Sequence, residues 1–393
     1  MDRALSPVIH EVLPSEVLAM IFEEHAEREW NAPAIDERVC RFWRRIVLNT
    51  PRAWRYLEIS PYAHKQPSIR ELQLWLSRSG TVPLHIRVGI DIEDDKGVNG
   101  WKLYDILSDY HTRIASLRMA SGYPAFLEGR EFPCLRLLDV TNWHLLHGDS
   151  PTIHFCSFPE LRSLRLGYID TSSAEDSIYP RDTAVALNGL TSIESLALYI
   201  TTCTSLAQHS LSLTTLMLDI VSFGDPTSSP LDFPSLTYLS LYRVHGLKPH
   251  INAPCLNTYH EDMDTARESF SAPLPSLVEY GLYGPDLDDL DPAEWHYFFP
   301  NISRVAIRAA PRSLVALLDS LSTHLPSLLA LRTISVGSEP GSTRFTEDEQ
   351  GTMKSLIGVR GDACHMGVAL RFEEGRSFQI PIFFGAVSHC TIR

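Results

Sequence analysis

The sequence predicts an α/β protein: a curved parallel sheet built by repetition, with helices and loops on its outer side, preceded by a small all-α module. Three observations predict it. Leucine is in excess, at 51 of 393 residues. From about residue 110 an apolar-x-x-apolar-x-apolar pattern keeps returning, whereas the first sixty residues carry helical spacing. The helical module is expected over residues 1–60 and the repeats over 61–393.

In the module, Leu13-Pro14-Ser15-Glu16 places proline in the first turn of a helix, where its missing N–H costs nothing. Val17, Leu18, Ile21 and Phe22 then form one apolar stripe. A second stripe, Val39, Phe42, Trp43, Ile46 and Val47, ends near Thr50-Pro51. Its charges, Arg38, Arg41, Arg44 and Arg45, are all basic, which suits the last turn of a helix. Helices this few and short bury little surface alone, so the module should lean on the repeats or on a partner.

Next comes a capping box, Ser68-x-x-Glu71, ahead of Ile69, Leu72, Trp75 and Leu76, with Gly80 as the stop. Leu84 to Val88 alternates as a strand does, and Leu103, Ile106, Leu107 and Tyr110 return to helical spacing. The repeats follow. Ten copies begin at Ile114, Leu135, Leu161, Ile193, Leu213, Leu236, Leu256, Leu277, Ile302 and Leu331, between 20 and 32 residues apart. Most are introduced by an apolar residue and a proline, as in Phe132-Pro133, Phe158-Pro159 and Phe233-Pro234. The last two apolar residues of a copy share one face of a short strand. Proline just before the copy stops a preceding helix without removing a ladder donor. The copy at Leu256/Tyr259 is degenerate. Such a period is that of a leucine-rich repeat, whose strands stack into a solenoid and bury their apolar faces against neighbours. Late in the chain, Leu314, Leu317, Leu318 and Leu321 predict a helix, and Thr346-x-x-Glu349 opens another. Val368 to Phe372 offers a closing strand, and the Ser-, Thr-, Asp- and Pro-rich stretches 170–189 and 221–232 read as loops.

Composition narrows the function. A formal net charge of −14 argues against nucleic acid or anionic membrane as a general partner. No apolar run approaches the ~20 residues of a membrane span, and the N-terminus lacks a signal-peptide layout. Seven scattered cysteines with no C-x-x-C pair suggest a reduced compartment, cytoplasmic or nuclear. His144/His147 and His245/His250/His260 lack the further ligands of a metal site, and Asp286, Asp288, Asp289 and Asp291 lack the frame of a calcium loop. Arg360-Gly361-Asp362 reads as a chance tripeptide. No nucleophile elbow, phosphate loop or dinucleotide fingerprint is present. The expectation is a non-catalytic protein with no cofactor.

At the N-terminus, Leu13-Pro14-Ser15-Glu16, Val17-Leu18, Ile21-Phe22, Val39-Cys40-Arg41-Phe42-Trp43 and Thr50-Pro51-Arg52-Ala53-Trp54 resemble the F-box pattern over residues 12–59. With the repeats downstream, the chain resembles the fungal F-box proteins with leucine-rich repeats. The resemblance implies the substrate-recognition subunit of a Skp–cullin–F-box ubiquitin ligase. It would dock on the Skp-type adaptor, and through it on the cullin, while the repeats hold a protein substrate. It assigns Leu13, Pro14, Val17, Leu18, Ile21, Val39, Cys40 and Trp43 to the adaptor-facing pattern, although half of them serve equally as bundle core. Sixteen residues, 23–38, separate Phe22 from Val39, fewer than the pattern expects, so a repeat scaffold acting outside a ligase is the alternative.

A substrate would meet the concave face of the repeats, carried by the residues that flank each buried pair. These are Arg165, Tyr199, Met217, Asp219, Tyr242, Tyr283 and Arg308. Tyr and Arg are the residue types that dominate protein–protein hot spots. Scattered surface positions with no common partner are the competing reading.

Overall fold

The structure, a computed structural model, describes residues 13–59, 68–89, 100–121, 124–127, 129–142, 157–166, 184–185, 192–203, 211–223, 231–242, 251–262, 273–284, 295–309, 311–324, 328, 330–337, 346–352, 355 and 369–372. It divides into two compact units, one of residues 1–213 and 221–224, the other of 214–220 and 225–393. Each is α/β with a parallel sheet.

Unit 1 begins with three helices: α1 (Ser15–Arg28), α2 (Ala32–Val39) and α3 (Arg41–Leu48). Pro14 stands at the cap position before α1 (φ −55°, ψ 149°) rather than inside its first turn. The second apolar stripe is two helices, not one. Cys40 is extended (φ −161°, ψ 168°), and its Sγ accepts the Trp43 backbone N–H at 3.4 Å, capping α3. Val39 therefore closes α2, while Phe42 to Val47 belong to α3. Leu18, Phe22, Ala26, Ala32, Ile46 and Val47 fill the interior, with the rings of Phe22 and Trp43 5.0 Å apart.

A 3-10 turn (Pro51–Trp54) then leads into β1 (Tyr56–Ile59), followed by α4 (Ile69–Arg78) and β2 (Leu84–Val88). The capping box at the start of α4 is complete, with both the Ser68 and Glu71 side chains engaged. Three tryptophans fasten the helices to this first layer. Trp54 packs edge-on against Trp75 at 4.7 Å, and Trp30 meets Trp75 at 5.4 Å. The Trp54 indole N–H donates to the Val47 carbonyl at 2.9 Å, and that of Trp75 donates to the Tyr56 carbonyl at 3.1 Å. Arg78 lies over the Trp54 ring at 4.4 Å and pairs with Glu37 of α2 at 3.2 Å. Both indole N–H groups are thus satisfied inside an apolar cluster, where an unmade bond would cost about 1–3 kcal/mol.

The unit continues through α5 (Gly100–Ser108), β3 (Ile114–Ser121), α6 (Pro124–Leu127), β4 (Leu137–Asn142), β5 (Ser163–Leu166), β6 (Ala184–Val185) and β7 (Ser195–Cys203). Its parallel strands run in the order β1-β2-β3-β4-β5-β7, and β6 pairs the end of β7. The register turns the repeated pattern into two buried ladders. One joins Leu57, Ile86, Leu117, Leu138, Leu164 and Leu196. The other joins Ile59, Val88, Met119, Val140, Leu166 and Leu198. Every member is buried. The aromatic residues that introduce the copies meet as well, Phe132 and Phe158 with their rings tilted at 5.4 Å.

Unit 2 holds the same plan: β8 (Thr215–Phe223), β9 (Leu231–Asp232), β10 (Tyr238–Tyr242), β11 (Ile251–Asn252), β12 (Thr258–Asp262), β13 (Glu279–Tyr283), α7 (Trp295–Phe298), β14 (Arg304–Arg308), α8 (Pro311–His324), β15 (Thr333–Gly337) and β16 (Ala369–Phe372). The parallel order is β8-β10-β12-β13-β14-β15-β16, with β9 and β11 paired separately. The capping box at Thr346 and Glu349 is made by reciprocal bonds. Of the two expected loops, 221–232 gives up residues to β8 and β9, and 170–189 contains β6, its remainder lying outside the described residues.

The degenerate copy has a physical explanation. Glu261 occupies the inward position that Leu241 and Leu282 hold on the neighbouring strands, and it is only 2% exposed. Its carboxylate accepts hydrogen bonds from the buried hydroxyls of Tyr259 and Tyr280. Burial, reinforced by the adjacent carboxylate, pushes the Tyr280 phenol well above its ordinary value. A carboxyl group is accommodated in the apolar ladder because two tyrosines bring donors to it.

Candidate interaction surfaces

On the helical module, burial separates residues that the sequence pattern groups together. Leu18 is 1% exposed and belongs to the interior, so it is not available to a partner. Val17, Ile21 and Val39 are 38%, 45% and 57% exposed. Leu13, Cys40 and Trp43 are half-buried, Trp43 against Phe22, and Pro14 is exposed. Two further residues not singled out by the pattern, Met20 and Ile35, are also exposed. Val17 and Ile21 on α1, and Ile35 and Val39 on α2, are each four apart, so each helix turns an apolar pair to the same side. An exposed bulky aliphatic side chain forgoes roughly 1.5–3 kcal/mol of burial, and five of them in two short helices suit a surface that meets another protein.

The second surface is the polar face of the unit 1 sheet, opposite the buried ladders. One row joins Tyr56, His85, Ser116, Leu137, Ser163 and Ser195. The next joins Glu58, Arg87, Arg118, Asp139, Arg165 and Ala197. Charges therefore lie side by side on five consecutive strands. Arg87 approaches Glu58 at 3.8 Å and Arg165 approaches Asp139 at 3.9 Å. Burial raises the Asp139 carboxyl above its ordinary value, against the pull of Arg165, Arg118 and Arg87. Burial likewise lowers Arg118, opposed by Asp139 and reinforced by Arg87 and Arg165. The His85 ring, stacked on Tyr56 at 5.0 Å, is brought down to about 4 by burial and by the positive charges of Arg55 and Arg118.

Unit 2 presents a different face. His260 is 4% exposed and lies across Gly281 of the next strand. Its Nδ1 stands 3.3 Å from the Tyr238 hydroxyl and 3.2 Å from that of Tyr283. Its Nε2 is 3.6 Å from Glu279, too long for a hydrogen bond but within ion-pair range. Glu279 also pairs with Arg304 at 3.0 Å. His260, ahead of Arg304, holds the Glu279 carboxyl below its ordinary value against the effect of burial.

The residues expected on the concave face are divided by this geometry. Arg165, Tyr242 and Tyr283 are half-buried on the polar faces. Met217 and Arg308 sit there too but are largely covered, Arg308 laying its aliphatic stem along Gly337. Tyr199 and Asp219 are placed on β7 and β8, with their side chains outside the described residues. Sequence reasoning passed over Glu58, His85, Arg87, Arg118 and Asp139 in unit 1 and Tyr238, Glu279 and Arg304 in unit 2, and it weighed His260 only as a metal ligand. The available signal was the polar alternate of each strand, applied from the first strand onward.

His144, His147, His245, His250, Asp286 to Asp291 and Arg360 to Asp362 lie outside the described residues. Among the described residues no group of three His, Cys, Asp or Glu side chains is placed to hold a metal ion, and no helix is long and apolar enough to cross a membrane. No family model matches the chain, and no curated protein matches it.

Proposed function

We propose that the chain is the substrate-recognition subunit of a Skp–cullin–F-box ubiquitin ligase, an F-box followed by a leucine-rich-repeat solenoid. In this reading the helical module docks on the Skp-type adaptor, and through it on the cullin. The polar faces of the repeats hold a protein substrate, and other subunits carry out ubiquitin transfer, so this chain supplies no catalytic group. The observation that carries the proposal is the split between Leu18 and Phe22, which are packed inside, and Val17, Ile21 and Val39, which stand in solvent at positions matching the F-box pattern. A helical module whose purpose was only to cap the sheet would have polar residues there.

The test is co-purification with the Skp-type adaptor. Val17→Asp with Ile21→Asp should abolish capture while leaving the thermal midpoint within a few degrees, because substitutions at exposed sites change stability by about 0.5 kcal/mol or less. Leu18→Asp should instead unfold the module. Absence of capture by the intact chain would sink the ligase reading. The shortness of α2, eight residues, favours the second reading, a repeat scaffold that works outside a ligase, and that outcome would select it.

A further inference from the structure

We infer that the solvent face of α3, together with the end of α2, docks an acidic surface of a protein partner, whose carboxylates meet Arg38, Arg41, Arg44 and Arg45. The inference rests on reading the helical module as one that docks a protein, and it adds what chemistry that protein brings.

Charge is segregated along the module. Residues 16–37 hold seven carboxylates and one arginine, whereas residues 38–55 hold six arginines and no carboxylate. Folding pairs two of the six, Arg52 with Glu23 at 4.0 Å and Arg55 with Glu27 at 3.9 Å. The acids of α2 are engaged elsewhere, Glu37 with Arg78 and Asp36 with His25, each at 3.2 Å. Arg38, Arg41, Arg44 and Arg45 are exposed, and among the described residues no carboxylate comes within 4.0 Å of any of them. Arg45 lies over the Phe42 ring at 5.4 Å, a contact that leaves its charge in place. Four positive charges thus stand without a carboxylate partner, in a chain whose formal net charge is −14.

Helix stability does not account for these arginines. Because α2 ends before Cys40, Arg41 and Arg44 stand in the first turn of α3, where no acidic residue offsets them. The positive end of the helix dipole disfavours cations there. Arg41, Arg44, Arg45 and Leu48, at i, i+3, i+4 and i+7, form one exposed stripe, while Ile46 and Val47 are buried. On α2, Ile35 and Val39 share the exposed side that carries Arg38. Arginine interleaved with exposed aliphatic side chains suits a protein surface, which offers carboxylates and apolar contacts together. A phosphate backbone makes no use of Leu48 or Val39. The stripe on α3 is ~10 Å long. A nucleic-acid duplex, with a charge about every 1.7 Å, extends far beyond it into the field of a chain that is negative overall.

The experiment uses the full chain and a fluorescein-labelled peptide alternating Glu with Ala, read by anisotropy. A matched peptide carries Gln in place of Glu, and a short DNA duplex and phosphatidylserine vesicles serve as the other anions. The Glu peptide should bind, weaken as salt is raised, and bind about tenfold more tightly than the Gln peptide. Replacing Arg41, Arg44 and Arg45 together by Gln should weaken it about tenfold, the combined effect of three exposed ion pairs. The thermal midpoint of that variant should equal or exceed the parent's, whereas arginines that serve only the fold would lower it. Arg28→Gln, whose arginine already pairs with Glu24 at 2.8 Å, should leave binding unchanged. Should the triple variant fail to fold, Arg41→Gln alone, expected to weaken binding about twofold, decides the matter. Absence of salt-sensitive binding of the Glu peptide, indifference to the arginine substitutions, or tighter binding of the duplex or the vesicles would each overturn the inference. No adaptor is present in this assay, so its failure is distinct from a failure of the co-purification.

Discussion

Replacing Gly281 by alanine should destabilise the protein, and should do so only while His260 is present. A Cβ built on Gly281 would stand 2.5 Å from His260 Cδ2, 2.9 Å from Cγ and 3.1 Å from Nε2. Carbon atoms in contact sit about 3.5–4.0 Å apart, so the ring must retreat by about 1 Å. It has little freedom to do so. The Tyr238 and Tyr283 hydroxyls hold Nδ1 at 3.3 and 3.2 Å, and both tyrosine rings meet the imidazole edge-on, at 5.5 and 5.7 Å. Overpacking of this kind costs about 1–3 kcal/mol. Gly281 does not have a positive φ, so alanine suits its backbone and recovers ~0.4–1 kcal/mol of unfolded-state entropy. From the middle of each range, the net loss expected is roughly 1.3 kcal/mol. In a His260→Ala background the clash is gone, and the same substitution should stabilise by ~0.4–1 kcal/mol. Urea midpoints at unchanged slope, taken around the double-mutant cycle, measure both signs. If Gly281→Ala were neutral or stabilising beside an intact His260, or had the same effect in both backgrounds, the close packing of ring on glycine would be wrong.

Two other perturbations test the core and the charged face. Glu261→Leu restores an aliphatic ladder yet deprives the Tyr259 and Tyr280 hydroxyls of their shared acceptor, so it should lose about 1–3 kcal/mol. Adding Tyr259→Phe and Tyr280→Phe should recover most of that loss, again in urea midpoints, and a triple variant worse than the single one would refute the account. His85 titrates at about 4 when folded against 6.5 ordinarily, so the unfolded chain takes up its proton first as pH falls. Its contribution is therefore complete above pH 6.5 and drains towards pH 4, at a slope that cannot exceed about 1.4 kcal/mol per pH unit. His85→Asn should flatten stability against pH in that window, as denaturation at pH 7, 6, 5 and 4 would reveal.

The strands were legible because their pattern is local. A period of two within five residues, repeated ten times, identifies Leu117/Met119 or Leu164/Leu166 as a buried pair without knowledge of any neighbour. The break at Cys40 was not, since Val39, Phe42, Trp43, Ile46 and Val47 keep helical spacing across it. What ends α2 is an extended backbone at one residue, and no count of apolar positions senses that. Glu261 was opaque for a related reason. A carboxylate at a core position reads as a failed repeat until the tyrosines of its own and the next strand are brought beside it. Arg87, Arg118 and Arg165 make the same point for the surface. They stand on three strands, β2, β3 and β5, and the polar alternate of a single strand gives no reason to prefer one arginine over another. Only register sets them in one row with Glu58 and Asp139 across five strands. The helical module is the converse case: its pattern named positions, and burial divided them between a core that must stay and a surface that can be exchanged.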